Sequence, residues 1–369
     1  MVHIASPRLP SPQATVSARD VPVLFREPYI HAGYRPVGQP LVCYLLSLFQ
    51  VHNETLNVWS HLLTGVAVLL RFLFRLHTWE SEAEPLDLTA LPLCLYLSSA
   101  LAYLSCSAAA HLCQSHSELA HYCLFFLDYV GVSVYQYGCA LAHYVYSSEP
   151  AWRDSAVGAH FLPAAIFLAW LTCASCCYAK MRYQRPYPLR RKLFQLVPTS
   201  LAYLLDVSPV AHRLASANNG SPTDADVAGD PALTLHALQI GFFLLAALFF
   251  SCPLPECLLP GRCDIVGHGH QVFHLFLALC TLVQQEALMR DYVWRRRALE
   301  KLHGRDTLLM ACLSFPTLVI CSSLTAWAMA LRVKRRLRRE RVQGQTEGRH
   351  RKLTQHPPLG RIARPYPDP

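Results

Sequence analysis

Apolar residues in this chain fall in long blocks rather than in the two-residue alternation of strands. Eight blocks of about 18–24 residues stand out, at residues 57–74, 91–111, 124–144, 157–177, 193–211, 233–252, 270–288 and 308–331. At about 1.5 Å of rise per residue each is long enough to cross the roughly 30 Å hydrocarbon layer of a bilayer. A helix satisfies its own backbone hydrogen bonds there. The fold class that follows is all-α, a polytopic membrane helical bundle over residues 57–331. It is preceded by an N-terminal segment, 1–56, and followed by a tail, 332–369. Residues 1–49 lack the basic, apolar and small-residue order of a cleavable signal, so the first block is expected to serve as an uncleaved signal anchor.

Charge gives the orientation. The residues are 53% hydrophobic and only 15% charged, with a formal net charge of +9. Lys180, Arg182, Arg185, Arg190, Arg191 and Lys192 follow the fourth block, a dense cytosolic signal. Arg332, Lys334, Arg335, Arg336, Arg338 and Arg339 follow the eighth, again an even-numbered end, so both termini are expected in the cytosol. Against this stand Arg290, Arg295, Arg296, Arg297, Lys301 and Arg305 after the seventh block. Either the tail outweighs them, or the eighth block is peripheral or absent. Of two N-glycosylation sequons, Asn219-Gly220-Ser221 is expected outside and Asn53-Glu54-Thr55 inside. The basic tail directly follows a span, so it fits anionic membrane lipids rather than nucleic acid.

Candidate chemistry sits at the ends of three blocks. His270 and His274 are one helical turn apart and share a face. His111 closes the second block and Asp128 lies near the start of the third. The end of block two and the starts of blocks three and seven share one membrane face whichever way the chain inserts. Ionisable groups are costly in a bilayer, so they are candidates for function. Three imidazoles and a carboxylate at one depth match a buried zinc site. The bland alternative is interfacial anchoring or hydrogen bonding to a neighbouring helix. His268, two residues from His270, is read as a loop residue before the helix. Arg71, Asp206 and Glu286 share the other half of the bilayer, where a charge-paired cluster is one reading and snorkelling the other. Cys173-x-x-Cys176 lies in an apolar helix without a partner pair and is read as packing.

Longer motifs carry a resemblance. They include Arg26-Glu27-Pro28-Tyr29-Ile30, His52-Asn53-Glu54 with Asn57-Val58-Trp59-Ser60-His61, Ser107-Ala108-Ala109-Ala110-His111, Phe126-Leu127-Asp128-Tyr129, Asp206-Val207-Ser208-Pro209 and Gly269-His270-Gln271-Val272-Phe273-His274. With these the chain resembles the progestin and adipoQ receptor family, and within it the membrane progestin receptor branch. The resemblance implies a seven-helix core like that of the adiponectin receptors, with an eighth C-terminal span. It implies zinc (Zn2+) held by His111, His270 and His274, with Asp128 orienting water and Ser107 assisting. Three neutral imidazoles leave a fourth tetrahedral position open, the arrangement of zinc that polarises a carbonyl in amide hydrolysis. Two functions stay open. One is a plasma-membrane receptor for a steroid of the progestin class, in contact with membrane lipids and signalling to a heterotrimeric G protein. The other is a ceramidase-like lipid amide hydrolase. A steroid pocket needs apolar walls and a few polar groups. Tyr135, Gln136, Tyr137, Gln284 and Gln285 are candidates for the latter.

Overall fold

A computed structural model describes residues 10–80, 88–185, 187–218, 230 and 232–354. Among these residues there is no β-strand, only an isolated antiparallel bridge between Val16 and Tyr34. Eight long helices follow one another: α1 (Thr55–Glu80), α2 (Leu91–Cys113), α3 (Glu118–Ala142), α4 (Ala156–Arg182), α5 (Leu189–Asn218), α6 (Leu233–Ser251), α7 (Gly269–His303) and α8 (Arg305–Thr354). Each apolar block of the sequence falls on one of them, so the chain is an all-α, multi-pass membrane bundle.

Seven of the eight are long and apolar enough to cross a membrane; α3 falls short in apolarity. Its surroundings explain this. It packs against α2, α4, α5 and α8, and residues Tyr137 to Ala142 are buried without a break. A helix walled in by protein needs no lipid-compatible exterior. The outer helices show the opposite. On α1, Leu63, Val66, Leu70 and Phe74 point outward at helical spacing, and Leu313, Ile320, Leu324 and Trp327 do the same on α8. Such apolar stripes are costly in water and suited to lipid.

The α2–α3 contact is unusually close. A Cβ built on Gly131 would stand 2.8 Å from the Tyr103 Cα, and one on Gly138 would stand 2.9 Å from the Ser99 Cβ. Glycine at these two positions, two turns apart, lets the helix backbones approach. α8 is a full member of the bundle: Ser133 Oγ donates to Ser322 Oγ at 3.1 Å and Trp170 Nε1 to Thr325 Oγ1 at 3.1 Å. The peripheral alternative for the eighth block therefore falls away.

The conflicting arginines after the seventh block lie mostly on a cytosol-independent continuation of α7, which runs on to His303. Arg290 Nε donates to Glu286 at 2.8 Å, and Arg295 donates to the Ser148 carbonyl at 3.0 Å. Charges held by the protein weigh less as topology signals. The three-member cluster read at the far side is only partly formed. Arg71 and Arg75 pair with Glu286 at 2.8 and 3.1 Å, whereas Asp206 accepts from His143 Nδ1 at 2.8 Å on another side of the bundle. Equal depth does not imply adjacency. All fifteen cysteines are free, Cys173 and Cys176 among the buried ones. The Asn219 sequon lies outside the described residues. Asn53 is 4% exposed, its backbone tied to Gly33 and to His268.

Candidate metal centre

His111 occupies the last turn of α2, where buried apolar neighbours leave little choice of rotamer. His270 and His274 open α7, whose N-terminus is fixed by Glu256: its carboxylate accepts from the Gly269 N–H at 2.6 Å. The ligand atoms of the three histidines all lie within 4.8 Å of one another. His111 Nε2 and His270 Nε2 stand 3.4 Å apart. Two nitrogens at about 2.05 Å from a tetrahedral zinc are separated by roughly 3.3 Å, so this spacing suits the ion.

The far sides of the rings are engaged. His111 Nδ1 donates to Glu54 Oε2 at 2.7 Å, and His274 Nδ1 donates to the Asn57 carbonyl at 3.2 Å. Each Nε2 is thereby left with its lone pair toward the centre, which is what a metal requires of its imidazoles. Glu54 is itself tightly held, accepting from Asn57 Nδ2 at 2.6 Å and from Gln114 Nε2 at 2.8 Å. Burial alone would push its carboxyl up, but His111 and Asn57 hold it well below the usual carboxylate range.

Ser107 is one turn before His111 and buried; Asp128, on α3, is buried as well. The Asp128 carboxylate interacts with Ser107 and His111 but is not among the clustered ligand atoms. It stands beside the centre. His268 lies before the first residue of α7 and turns away, its Nε2 hydrogen-bonded to the Asn53 carbonyl at 3.1 Å.

Three residues here were not singled out from the sequence. Glu54 and Asn57 orient ligands. His61 stacks on His274 with ring centroids 3.9 Å apart and planes 11° from parallel, and neither of its buried nitrogens has a hydrogen-bond partner. Asn57 and His61 open the first block and Glu54 lies just before it, on what the same parity makes the histidines' membrane face. The segment before α1 completes the enclosure. Arg35, 3% exposed, donates to the His111 carbonyl at 2.6 Å and caps the end of α2.

Comparison with known proteins now bears on this arrangement. The family model described as Haemolysin-III related matches residues 49–285, which contain every residue of the centre. The chain belongs to this family. It is 54% identical over 335 residues to membrane progestin receptor beta of Homo sapiens, covering 89% of this chain and 90% of that protein. Membrane progestin receptor alpha of Mus musculus is 50% identical over 331 residues (90% and 92% covered), and membrane progestin receptor alpha-B of Danio rerio 48% over 330 (89% and 90%). The family match covers α1 to about the middle of α7 and leaves α8 outside.

Of the polar residues considered for a steroid, two meet. Tyr135 donates to Gln284 Oε1 at 2.6 Å, next to Thr281 and Tyr103. Gln136 turns to the Thr199 carbonyl, Tyr137 to Ser314 and Gln285 to the Val68 carbonyl. A further buried network joins α5, α6 and α7: Arg213 pairs with both oxygens of Asp291 at 2.9 Å and with Asp230, and His236 Nε2 reaches Asp291 at 2.8 Å.

Proposed function

We propose that the chain is a progestin receptor of the plasma membrane, with both termini cytosolic and with zinc as the ion of its three-histidine centre. The observation that carries the receptor reading is the 54% identity to a membrane progestin receptor over nine-tenths of both chains. For zinc the support is the imidazole geometry: one ring nitrogen from each of three histidines lies within 4.8 Å of the others, and the Nδ1 atoms of His111 and His274 are already engaged. When bound, zinc with three protein ligands supplies Lewis acidity at its open position. Glu54 and Asn57 orient the imidazoles, and Arg35 with the folded N-terminal segment keeps bulk water from the face beneath them. Tyr135 and Gln284 are the polar pair we assign to one end of the steroid, within apolar walls. A heterotrimeric G protein is the proposed effector on the basic cytosolic face.

A second reading, zinc-dependent hydrolysis of a ceramide-like amide, is favoured by one observation. Asp128 and Ser107 lie beside the three-histidine centre, where a carboxylate can take or hold a proton. One mutant separates the readings. Asp128→Asn should leave metal content and saturable progestin binding nearly intact if the chain is a receptor. For a hydrolase, the same change should remove about 10²–10⁴-fold of amide turnover. Elemental analysis is expected to give zinc in wild type and in His268→Ala, and little in His111→Ala, His270→Ala or His274→Ala. Robust wild-type cleavage, abolished in Asp128→Asn and without saturable steroid binding, would overturn the receptor reading. Full zinc retention in all three ligand variants would overturn the metal assignment.

A further inference from the structure

Where α4 ends and turns into α5, the chain meets the middle of α8. A cleft of about 560 Å³ opens there, with Arg182, Arg332 and Arg336 in its wall and no carboxylate. Clefts of roughly 300–1,000 Å³ are the usual size for a small-molecule head group. A second cavity of about 240 Å³ adjoins it, sharing Tyr183, Gln184 and Arg336 and adding Lys180 and Arg185, with Glu118 and Glu340 at its edge.

The protein's own acids match these cations unevenly: Arg185 pairs with Glu27 at 2.7 Å, whereas the others have weaker partners. Arg182 lies beside the Tyr183 ring and Arg332 faces the sulfur of Met329; among the described residues neither meets a carboxylate. Arg336 spends one nitrogen on the Met181 carbonyl at 2.8 Å, while its buried Nε has no hydrogen-bond partner, the Glu340 carboxylate standing 3.7 Å off. Lys180 is 7% exposed, and its ammonium sits 3.9 Å from the centre of the Phe125 ring rather than against an acid. A buried cation without a counter-charge is costly. Three arginines around one cleft whose lining holds no carboxylate present several donors to an anion with more than one charge. Guanidinium groups match phosphate oxygens two at a time.

We propose that this cleft binds a multiply phosphorylated head group, that of an inositol phospholipid in the adjacent leaflet or the same phosphate ester free in solution. Position favours the lipid. The cleft lies just past the apolar parts of α4 and α8, on the membrane face of the histidine centre, and Phe125 links that centre to the adjoining cavity: its ring edge-packs on His111 at 5.7 Å and faces the Lys180 ammonium. That face is also the one whose lysines and arginines mark it as cytosolic, where anionic lipids concentrate.

The test uses the full chain in phosphatidylcholine nanodiscs. The probes are phosphatidylinositol 4,5-bisphosphate, phosphatidylserine at matched charge, and soluble inositol 1,4,5-trisphosphate, with bound probe counted by native mass spectrometry. Phosphoinositide binding is expected to saturate near one per chain. It should weaken at least tenfold in Arg332→Gln/Arg336→Gln, but less than threefold in Arg338→Gln/Arg339→Gln, which removes the same charge from the tail. Arg332→Gln alone, at an exposed side chain, should cost at least threefold and involves no buried group. Tighter binding of the lipid than of the soluble ester assigns the source to the leaflet, and equal binding assigns it to solution; both support the site. Equal losses in the two double variants, or phosphatidylserine binding as tightly at matched charge, would show diffuse attraction to the tail and overturn it.

Discussion

Glu54→Gln is the sharpest perturbation of the histidine centre, because it removes a charge without removing volume. The native carboxylate accepts from His111, Asn57 and Gln114. A glutamine has one acceptor oxygen. Placed where Oε2 now lies, it keeps His111 and Asn57 as partners but sets its own NH2 against that of Gln114. Two bonds then lose charge assistance, at about 1 kcal/mol each, and one buried donor is orphaned at about 1–3 kcal/mol, for a total of roughly 3–5 kcal/mol. The loss of orientation at His111 should separately weaken zinc binding by about 10–100-fold. Both effects are measurable on detergent-purified protein, the first as the thermal unfolding midpoint and the second by competition with a chromophoric chelator. Gln114→Met should restore part of the lost stability in the Glu54→Gln background, since it removes the orphaned donor, without restoring the zinc affinity. Zinc affinity within threefold of wild type in Glu54→Gln would refute the idea that this carboxylate sets the ligand geometry.

His61→Phe should retain zinc and the wild-type unfolding midpoint, because the ring stacks on His274 and neither nitrogen is used; elemental analysis decides, and loss of the metal would make His61 a ligand. His52 is held neutral, burial and the Arg35 charge pushing it down to about 3. Its folded value lies below the unfolded one of about 6.5, so stability is complete above that value and falls with acidification, by about 2 kcal/mol at pH 5. A pH series of unfolding midpoints in wild type and His52→Gln, in which the variant shows the shallower slope, checks this. Arg213→Met leaves Asp291 buried with only His236 and Ser147 as partners and should cost about 3–5 kcal/mol; an unchanged midpoint would mean that the pair carries no stability.

The eight helices were legible because lipid imposes its own pattern: a span that faces lipid must be apolar for most of its length, and even α3, walled in by protein, keeps an apolar block. Their ends were less so. α7 and α8 run well past their apolar blocks, since beyond the membrane a helix is sustained by pairs such as Arg290 with Glu286, which leave no hydropathy signal. Shared depth placed His111, His270 and His274 on one face, and the fold brings them together. It could not say that Asp206 turns to His143 while Glu286 turns to Arg71, because neighbourhood within the plane of the membrane is set by helix packing. Glu54 escaped notice for another reason. It precedes the first apolar block, so a search for ionisable groups inside spans passes over it, although the start of that block shares the histidines' face. Arg35 could not have been found in this way at all: besides the Ser47 hydroxyl, its partners are backbone carbonyls of residues 76 and 77 positions away.

The enclosure of the centre by the N-terminal segment sets a timetable for its assembly. His31 donates its backbone N–H to Asp264, 233 residues later, and the Asn53 carbonyl is held by His268, 215 residues later. These early residues leave the ribosome long before their partners exist. At about 5–20 residues per second the interval is on the order of 10–40 s, during which several helices are already being inserted. The first part of the chain to be made is therefore among the last to settle, and the histidine centre is closed only when the seventh helix arrives.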